Sequence, residues 1–108
     1  MSVQEKTRWK NWADELRQEM MSSLTEEVTR SVASITSETA TTKSESSLRS
    51  VRFWRACQAG DSPNDFLAKA GFEIEFQEDD DRNVQEVTLR LNKTWKTILD
   101  RVLERKNS

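Results

Sequence analysis

Apolar side chains recur every three or four residues along the first third of the chain. These steps match the period of an α-helix, and neither glycine nor proline interrupts them. The pattern predicts an amphipathic helix over residues 1–36, with one narrow apolar face of the kind that packs in coiled coils. The residues on that face are Trp9, Trp12, Leu16, Met20, Leu24, Val28, Val32 and Ile35.

This apolar face indicates an interaction with another protein chain. About 27 residues of helix span about 40 Å at 1.5 Å per residue, which is more than we expect so short a chain to cover by itself. A partner helix would then cover it, in a homo- or hetero-oligomer. The alternative is that the helix folds back onto the C-terminal half. The predicted partner-binding residues are Trp9, Trp12, Leu16, Met20, Leu24, Val28 and Ile35.

The distribution of apolar residues divides the chain. Of its 22 leucine, isoleucine, valine and phenylalanine residues, 15 lie in residues 51–108, so we expect the core mainly there. Residues 31–50 instead contain eleven serines and threonines, whose side chains compete for backbone hydrogen bonds and weaken helices. We predict a connector over residues 37–46, with a frayed continuation of the helix as the alternative.

The second half of the chain has clearer boundaries between elements. Apolar residues at helical spacing are bounded by Gly60, Pro63 and Gly71, which are typical of helix ends and starts. Beyond Gly71, apolar and polar residues alternate in two runs around an acidic loop, as in strands with one buried face. The predicted elements are helix 47–59, helix 63–70, strand 72–77, strand 84–91 and helix 94–106.

Together these elements predict an α+β fold. The two strands form an antiparallel hairpin, and the neighbouring helices cover its apolar face to give a small two-layer module over residues 47–108. A sheet of only two strands leaves open edges, which could accept a strand from another chain. The sequence therefore predicts a long N-terminal helix, a connector and this α+β module.

The composition excludes most catalytic chemistry. The chain has no histidine, so the commonest general base and metal ligand are missing. Without a histidine to activate it, the one cysteine, Cys57, is expected to be a buried thiol that fills space. Two glycines, both at predicted helix ends, cannot build a phosphate-binding loop. We predict no catalytic residue, no cofactor and no enzyme activity.

The acidic loop of the hairpin resembles the start of a calcium-binding loop. Asp79, Asp81 and Asn83 match its first three ligand positions. Val84 stands where the sharp turn needs glycine, and Arg90 stands where a glutamate should complete the ligand set. We therefore predict a solvated loop and no metal site.

Basic side chains beside tryptophans indicate an alternative function. Such an arrangement can bind phosphates while the aromatic rings stack on bases. The net charge of −2 weighs against a protein whose whole surface attracts nucleic acid, so this remains the alternative. The predicted nucleic-acid-binding residues are Arg49, Arg52 and Arg55, which we call the arginine ridge, together with Lys6, Arg8 and Lys10.

The leading hypothesis is a non-catalytic interaction subunit or adaptor. Its N-terminal helix would bind another protein chain, and its α+β module would present a second binding surface. A further alternative is a regulator that folds only on a larger partner, given the low apolar content. No apolar run approaches the roughly 20 residues that span a bilayer, so we expect no membrane association, no small-molecule substrate and an intracellular location in the cytoplasm or nucleus.

Overall fold

The computed structural model describes residues 3–39, 48–60 and 64–107. These residues form five helices and three strands, so the fold is α+β, as predicted. In chain order the elements are α1 (Val3–Ser22), β1 (Glu27–Ser31), α2 (Val32–Thr39), α3 (Val51–Ala59), α4 (Phe66–Ala70), β2 (Phe72–Glu78), β3 (Val84–Leu91) and α5 (Lys93–Asn107).

The sheet has three antiparallel strands rather than the predicted two. Their order is β1-β3-β2, so β3 lies in the centre and pairs with both neighbours. β2 and β3 form the expected hairpin, in register from Phe72 opposite Leu91. The additional strand, β1, pairs with the other side of β3, with Glu27 opposite Arg90. The prediction of a lone hairpin is therefore wrong.

The predicted helix over residues 1–36 is interrupted. A long N-terminal helix is present as α1, but it ends at Ser22, and Leu24 adopts a left-handed conformation with φ of 57°. The segment Glu27–Ser31 then forms a strand because β3 supplies backbone partners for it. Val28 fits the helical spacing, but in a strand it points to the same face as Arg30, and that alternation is what the sheet uses.

The apolar face of α1 is buried within one copy of the chain. Trp9 is 0% exposed, Trp12 9%, Leu16 5% and Met20 1%. The expectation that this chain cannot cover its own helix is wrong, and the helix packs back onto the rest of the fold. The physical reason is the break after Ser22, because it shortens α1 to about 30 Å and returns the chain to the sheet.

Aromatic packing shows what covers α1. The ring centroid of Trp9 lies 4.9 Å from that of Phe66 in α4 and 5.8 Å from that of Phe53 in α3. Leu24 and Val28 are half-buried and pack against the same core. Ile35, which was predicted on the same helical face, is fully buried but belongs to α2. The predicted partner-binding residues thus come from α1, β1, α2 and the loop between α1 and β1, where Leu24 lies.

The helices and strands predicted for the C-terminal half are observed with boundaries shifted by four residues or fewer. Residues 37–39 of the predicted connector belong to α2, and residues 40–46 lie outside the described residues. Helix 47–59 is observed from Val51, and helix 63–70 from Phe66; residues 47 and 63 are also outside the described part of the chain. Left-handed glycines follow both helices, at Gly60 and Gly71.

The core lies between the helices and one face of the sheet. β3 contributes most centrally, because Val84, Val87 and Leu89 are each 0% exposed. α3 and α4 add Trp54 and Leu67, both also fully buried. The opposite face of the sheet carries polar side chains and faces solvent, as an antiparallel sheet covered on one side does.

Candidate functional site

Among the described residues, β1 lies at one edge of the sheet and pairs only with β3. The backbone N–H of Leu91 donates to the carbonyl of Glu26 at 2.9 Å, which sets the alternation along the ladder. Val28 therefore faces β3 with its backbone groups, while those of Glu27 and Thr29 point away from the sheet. Among the described residues, no turn, loop or cap hydrogen bond reaches Glu27 or Thr29. Their outward N–H and C=O groups are available to another strand.

The opposite edge, β2, is partly occupied. By the same alternation, the backbone of Ile74 points away from β3. The side chain of Gln58 in α3 donates to the carbonyl of Ile74 at 2.9 Å. A strand that added to β2 would have to displace this bond, so β1 is the more accessible edge.

A charged cluster links all three strands on the polar face. Arg90 donates to both carboxylate oxygens of Glu75 at 2.9 and 3.2 Å and to Glu27 at 3.0 Å. The hydrogen bonds and charge of Arg90 lower the pKa of Glu75, and the two carboxylates raise the pKa of Arg90. Beside this cluster, the hydroxyls of Thr29 and Thr88 lie 3.0 Å apart. These contacts link the side chains of β1 and β3 across the polar face, and Arg90 also links β3 to β2.

A groove of about 740 Å³ crosses the polar face. We call it the polar-face groove. It begins at Thr29 of β1 and continues to the hairpin loop. Among the described residues, its lining has no lysine or arginine and has four carboxylates, at Glu75, Glu78, Asp79 and Glu86. Two of the four are paired with arginines, Glu75 with Arg90 and Glu78 with Arg55, so the acidic character of the groove comes from Asp79 and Glu86.

A second concavity of about 300 Å³ lies on the helix side of β1. We call it the helix-side pocket. Its apolar surface comes from Trp12 and Leu16, and Arg30 of β1 forms part of its wall. The indole N–H of Trp12 donates to the Glu38 carboxylate at 3.0 Å. Its carboxylates are Glu15, Glu19 and Glu38, so β1 has an acidic depression on each of its two faces.

The carboxylate of Asp79 accepts hydrogen bonds that close the hairpin loop. Asp79 Oδ1 accepts the backbone N–H groups of Asp81 and Asn83 at 2.9 Å each, and Oδ2 accepts the side chain of Gln85 at 3.0 Å. These bonds, with that of Gln85 foremost, lower the pKa of Asp79. In the described part of the chain, no group of three or more histidine, cysteine, aspartate or glutamate residues is placed to hold a metal ion.

The arginine ridge does not form one free basic surface. Arg49 is half-buried, and its carbonyl accepts the backbone N–H of Val84. Arg52 is exposed, whereas Arg55 pairs with Glu78 at 3.1 Å. The second predicted group, Lys6, Arg8 and Lys10, is exposed along α1. Nucleic-acid binding by these residues stays a prediction.

The comparisons carry no functional information. Known protein families, curated proteins and solved structures were compared with this chain, and none matches. Among the described residues, no helix has the length and apolar content needed to cross a membrane.

The sequence pattern does not predict β1, because its residues continue the helical spacing of apolar positions from α1. A signal was present: Val28 and Arg30 alternate with Glu27, Thr29 and Ser31, and Val28 and Thr29 are β-branched. Five residues is a short window, and Val28 satisfied both periods. The alternation in β2 is easier to recognise than that in β1, because three apolar residues of β2 repeat at a spacing of two.

Proposed function

We propose that the protein is a non-enzymatic protein–protein interaction adaptor that binds an extended segment of its partner as a fourth strand along β1. The observation that supports this is the open edge, where the backbone groups of Glu27 and Thr29 point away from the sheet. The β1 edge takes the place of the α1 surface that the sequence suggested for partner binding, because the apolar residues of α1 are already buried.

The short length of β1 limits how much backbone pairing can contribute to the affinity for a partner. β1 has five residues, so only the outward groups of Glu27 and Thr29 and the N–H of Ser31 are offered. Each backbone hydrogen bond contributes about 0.5–1.5 kcal/mol net, and ordering the partner segment opposes this. Backbone pairing alone is therefore weak, and side-chain contacts on both faces of β1 must supply the rest. The polar-face groove and the helix-side pocket are the places for those contacts.

The two concavities also fit the geometry of strand addition. Successive side chains of a strand point to opposite faces. Thr29 lines the polar-face groove, and Arg30 lines the helix-side pocket. A segment paired with β1 would place its alternate side chains at these two depressions in turn. This is how recognition by strand addition acquires specificity.

The alternative functions have less support. The arginine ridge has Arg49 half-buried and Arg55 paired with an acid, so nothing in the geometry favours nucleic acid over protein. We place the protein inside the cell, because its only cysteine, Cys57, is a buried thiol and no disulfide framework is possible. A cytoplasmic or a nuclear location would both fit this proposal.

The test is a pair of substitutions at Thr29. Thr29→Pro removes the outward N–H without deleting a β1–β3 hydrogen bond, since the Thr29 backbone points away from β3. Thr29→Val is the matched control, because it also loses the hydroxyl contact to Thr88 but keeps the N–H. Peptides would be selected on the wild type from a random library of nine-residue sequences. We expect them to bind Thr29→Val and to fail on Thr29→Pro.

The site of peptide binding is read from amide shifts in two-dimensional NMR spectra. Shifts centred on Glu27 and Thr29 are expected. Peptides that bind Thr29→Pro as tightly as the wild type would show that the β1 edge is not the binding site. The spectrum of free Thr29→Pro establishes that the variant is folded.

A further inference from the structure

The carboxylates around β1 differ in whether a neighbour neutralises them. On the polar face, Glu75 is paired with Arg90, and Glu78 with Arg55. Glu86 has no hydrogen bond or ion pair from its side chain among the described residues. The polar-face groove therefore retains an unneutralised charge next to β1.

A side chain on a strand added to β1 would reach Glu86 most directly by passing over Ser31. The two residues are register partners on β3 and β1. A strand that added to β1 would lie about 10 Å from β3, two strand spacings away. A long side chain next to Ser31 would pass over the short serine and meet the Glu86 carboxylate. Lysine and arginine have the length and the charge for this contact.

The helix-side pocket favours the same kind of side chain. The carboxylates of Glu15 and Glu19 have no ion pair in the described ranges, and Arg30 is the basic residue that lines the pocket. Trp12 and Leu16 provide an apolar surface on which the methylene stem of a lysine or arginine can pack. Cationic side chains commonly bury their stems in this way while the charged end stays in water.

From this charge complementarity on both faces, we infer that the segment that binds β1 is a lysine- or arginine-rich extended segment of another protein. The inference rests on the proposed strand addition and names the chemistry of its partner. A segment with basic residues on only one face would match only one of the two acidic concavities. A run of neighbouring basic residues matches both.

A second copy of this chain fits the edge less well. Pairing two β1 strands would bring two polar-face grooves side by side on one continuous sheet. The β1 strand of a second copy carries one basic residue, Arg30, and one acidic residue, Glu27, and these point to opposite faces, so it would bring a basic side chain to only one of the two concavities. The basic segment is the occupant that the charges favour.

The experiment uses three blocked nine-residue peptides built on one valine–threonine sequence. They carry four lysines, four glutamines or four glutamates at the same positions, on both faces. Affinity is measured by fluorescence anisotropy, and the binding site by amide shifts of the protein. We expect the lysine peptide to bind most tightly, with shifts at Glu27 and Thr29, and the glutamate peptide to bind least.

Substitutions in the protein test the two concavities separately. Glu86→Gln and Glu19→Gln should each weaken the lysine peptide about two- to five-fold, the range of a solvent-exposed ion pair. Glu104→Gln on α5 is the matched control, because Glu104 is exposed and lies outside both concavities. Equal weakening by all three substitutions would indicate diffuse attraction to an acidic protein and would overturn the inference.

The outcomes separate the inference from the proposed function. Equal binding of the lysine and glutamine peptides at β1 would overturn the charge inference and leave strand addition intact. A lysine peptide that binds Thr29→Pro as tightly as the wild type would overturn both. A wild-type dimer that Thr29→Pro dissociates would identify a second copy as the occupant and overturn the inference. A lysine peptide N-methylated on alternate amides tests the same bonds if Thr29→Pro does not fold.

Discussion

Trp9 and Trp54 allow a sharp test of the core, because their indoles differ in one respect. Both side chains are 0% exposed. The indole N–H of Trp54 donates to the carbonyl of Leu48. The indole N–H of Trp9 has no acceptor among the described residues. Trp9→Phe and Trp54→Phe remove the same group from two fully buried positions.

The expected difference follows from the hydrogen bonds. The loss of ring volume is similar at the two positions, so that contribution largely cancels in the comparison. Leaving a buried polar group without a partner costs about 1–3 kcal/mol. Trp54→Phe creates such a group at the Leu48 carbonyl, whereas Trp9→Phe removes one. Trp54→Phe should therefore lower the free energy of unfolding by about 2 kcal/mol or more beyond the loss at Trp9.

Urea unfolding followed by far-ultraviolet circular dichroism measures the difference. Dichroism is preferable to tryptophan fluorescence, since both substitutions remove a fluorophore. The slope of free energy against urea should stay equal in the two variants, which shows that the same surface is exposed on unfolding. Equal losses in the two variants, or the larger loss at Trp9, would refute the reasoning from the unsatisfied indole.

Two other positions give predictions with different readouts. Gly71→Ala should lower the free energy of unfolding by more than about 1 kcal/mol, because φ is +101° and the new methyl group would overlap the Trp95 indole; thermal unfolding measures it, and an unchanged midpoint would contradict it. Glu75 has a folded-state pKa below its ordinary value of 4.5, because Arg90 binds the carboxylate. Its stabilising contribution is therefore present above about pH 4.5 and is lost as the pH falls through the folded-state pKa. Glu75→Gln should flatten this acid dependence of the melting temperature, and an unchanged pH profile would contradict the role of Arg90.

The burial of the apolar face of α1 changes which surface the proposed adaptor would use to bind a partner. An apolar helix face that already packs against Phe53 and Phe66 is part of the core. A partner that used this face would first have to separate α1 from the fold. The β1 edge requires no such rearrangement, since its outward backbone groups already face away from the sheet.

Local sequence determined the elements of the C-terminal half. Gly60 and Gly71 end helices because they adopt the left-handed conformation that other residues avoid. Phe72, Ile74 and Phe76 alternate with polar residues, and that alternation predicts a strand with one buried face. These signals act within a few residues, so they can be read without knowledge of the rest of the fold.

Tertiary structure decided the N-terminal third. Val28 fits a helix and a strand equally well, and pairing with Leu89, some sixty residues away, selects the strand. The burial of Trp9 likewise depends on α3 and α4, which approach it from distant parts of the chain. A periodic pattern shows which face of a segment is apolar. What covers that face depends on long-range packing. Here long-range packing buries the apolar face of α1 and leaves β1 at the edge of the described sheet.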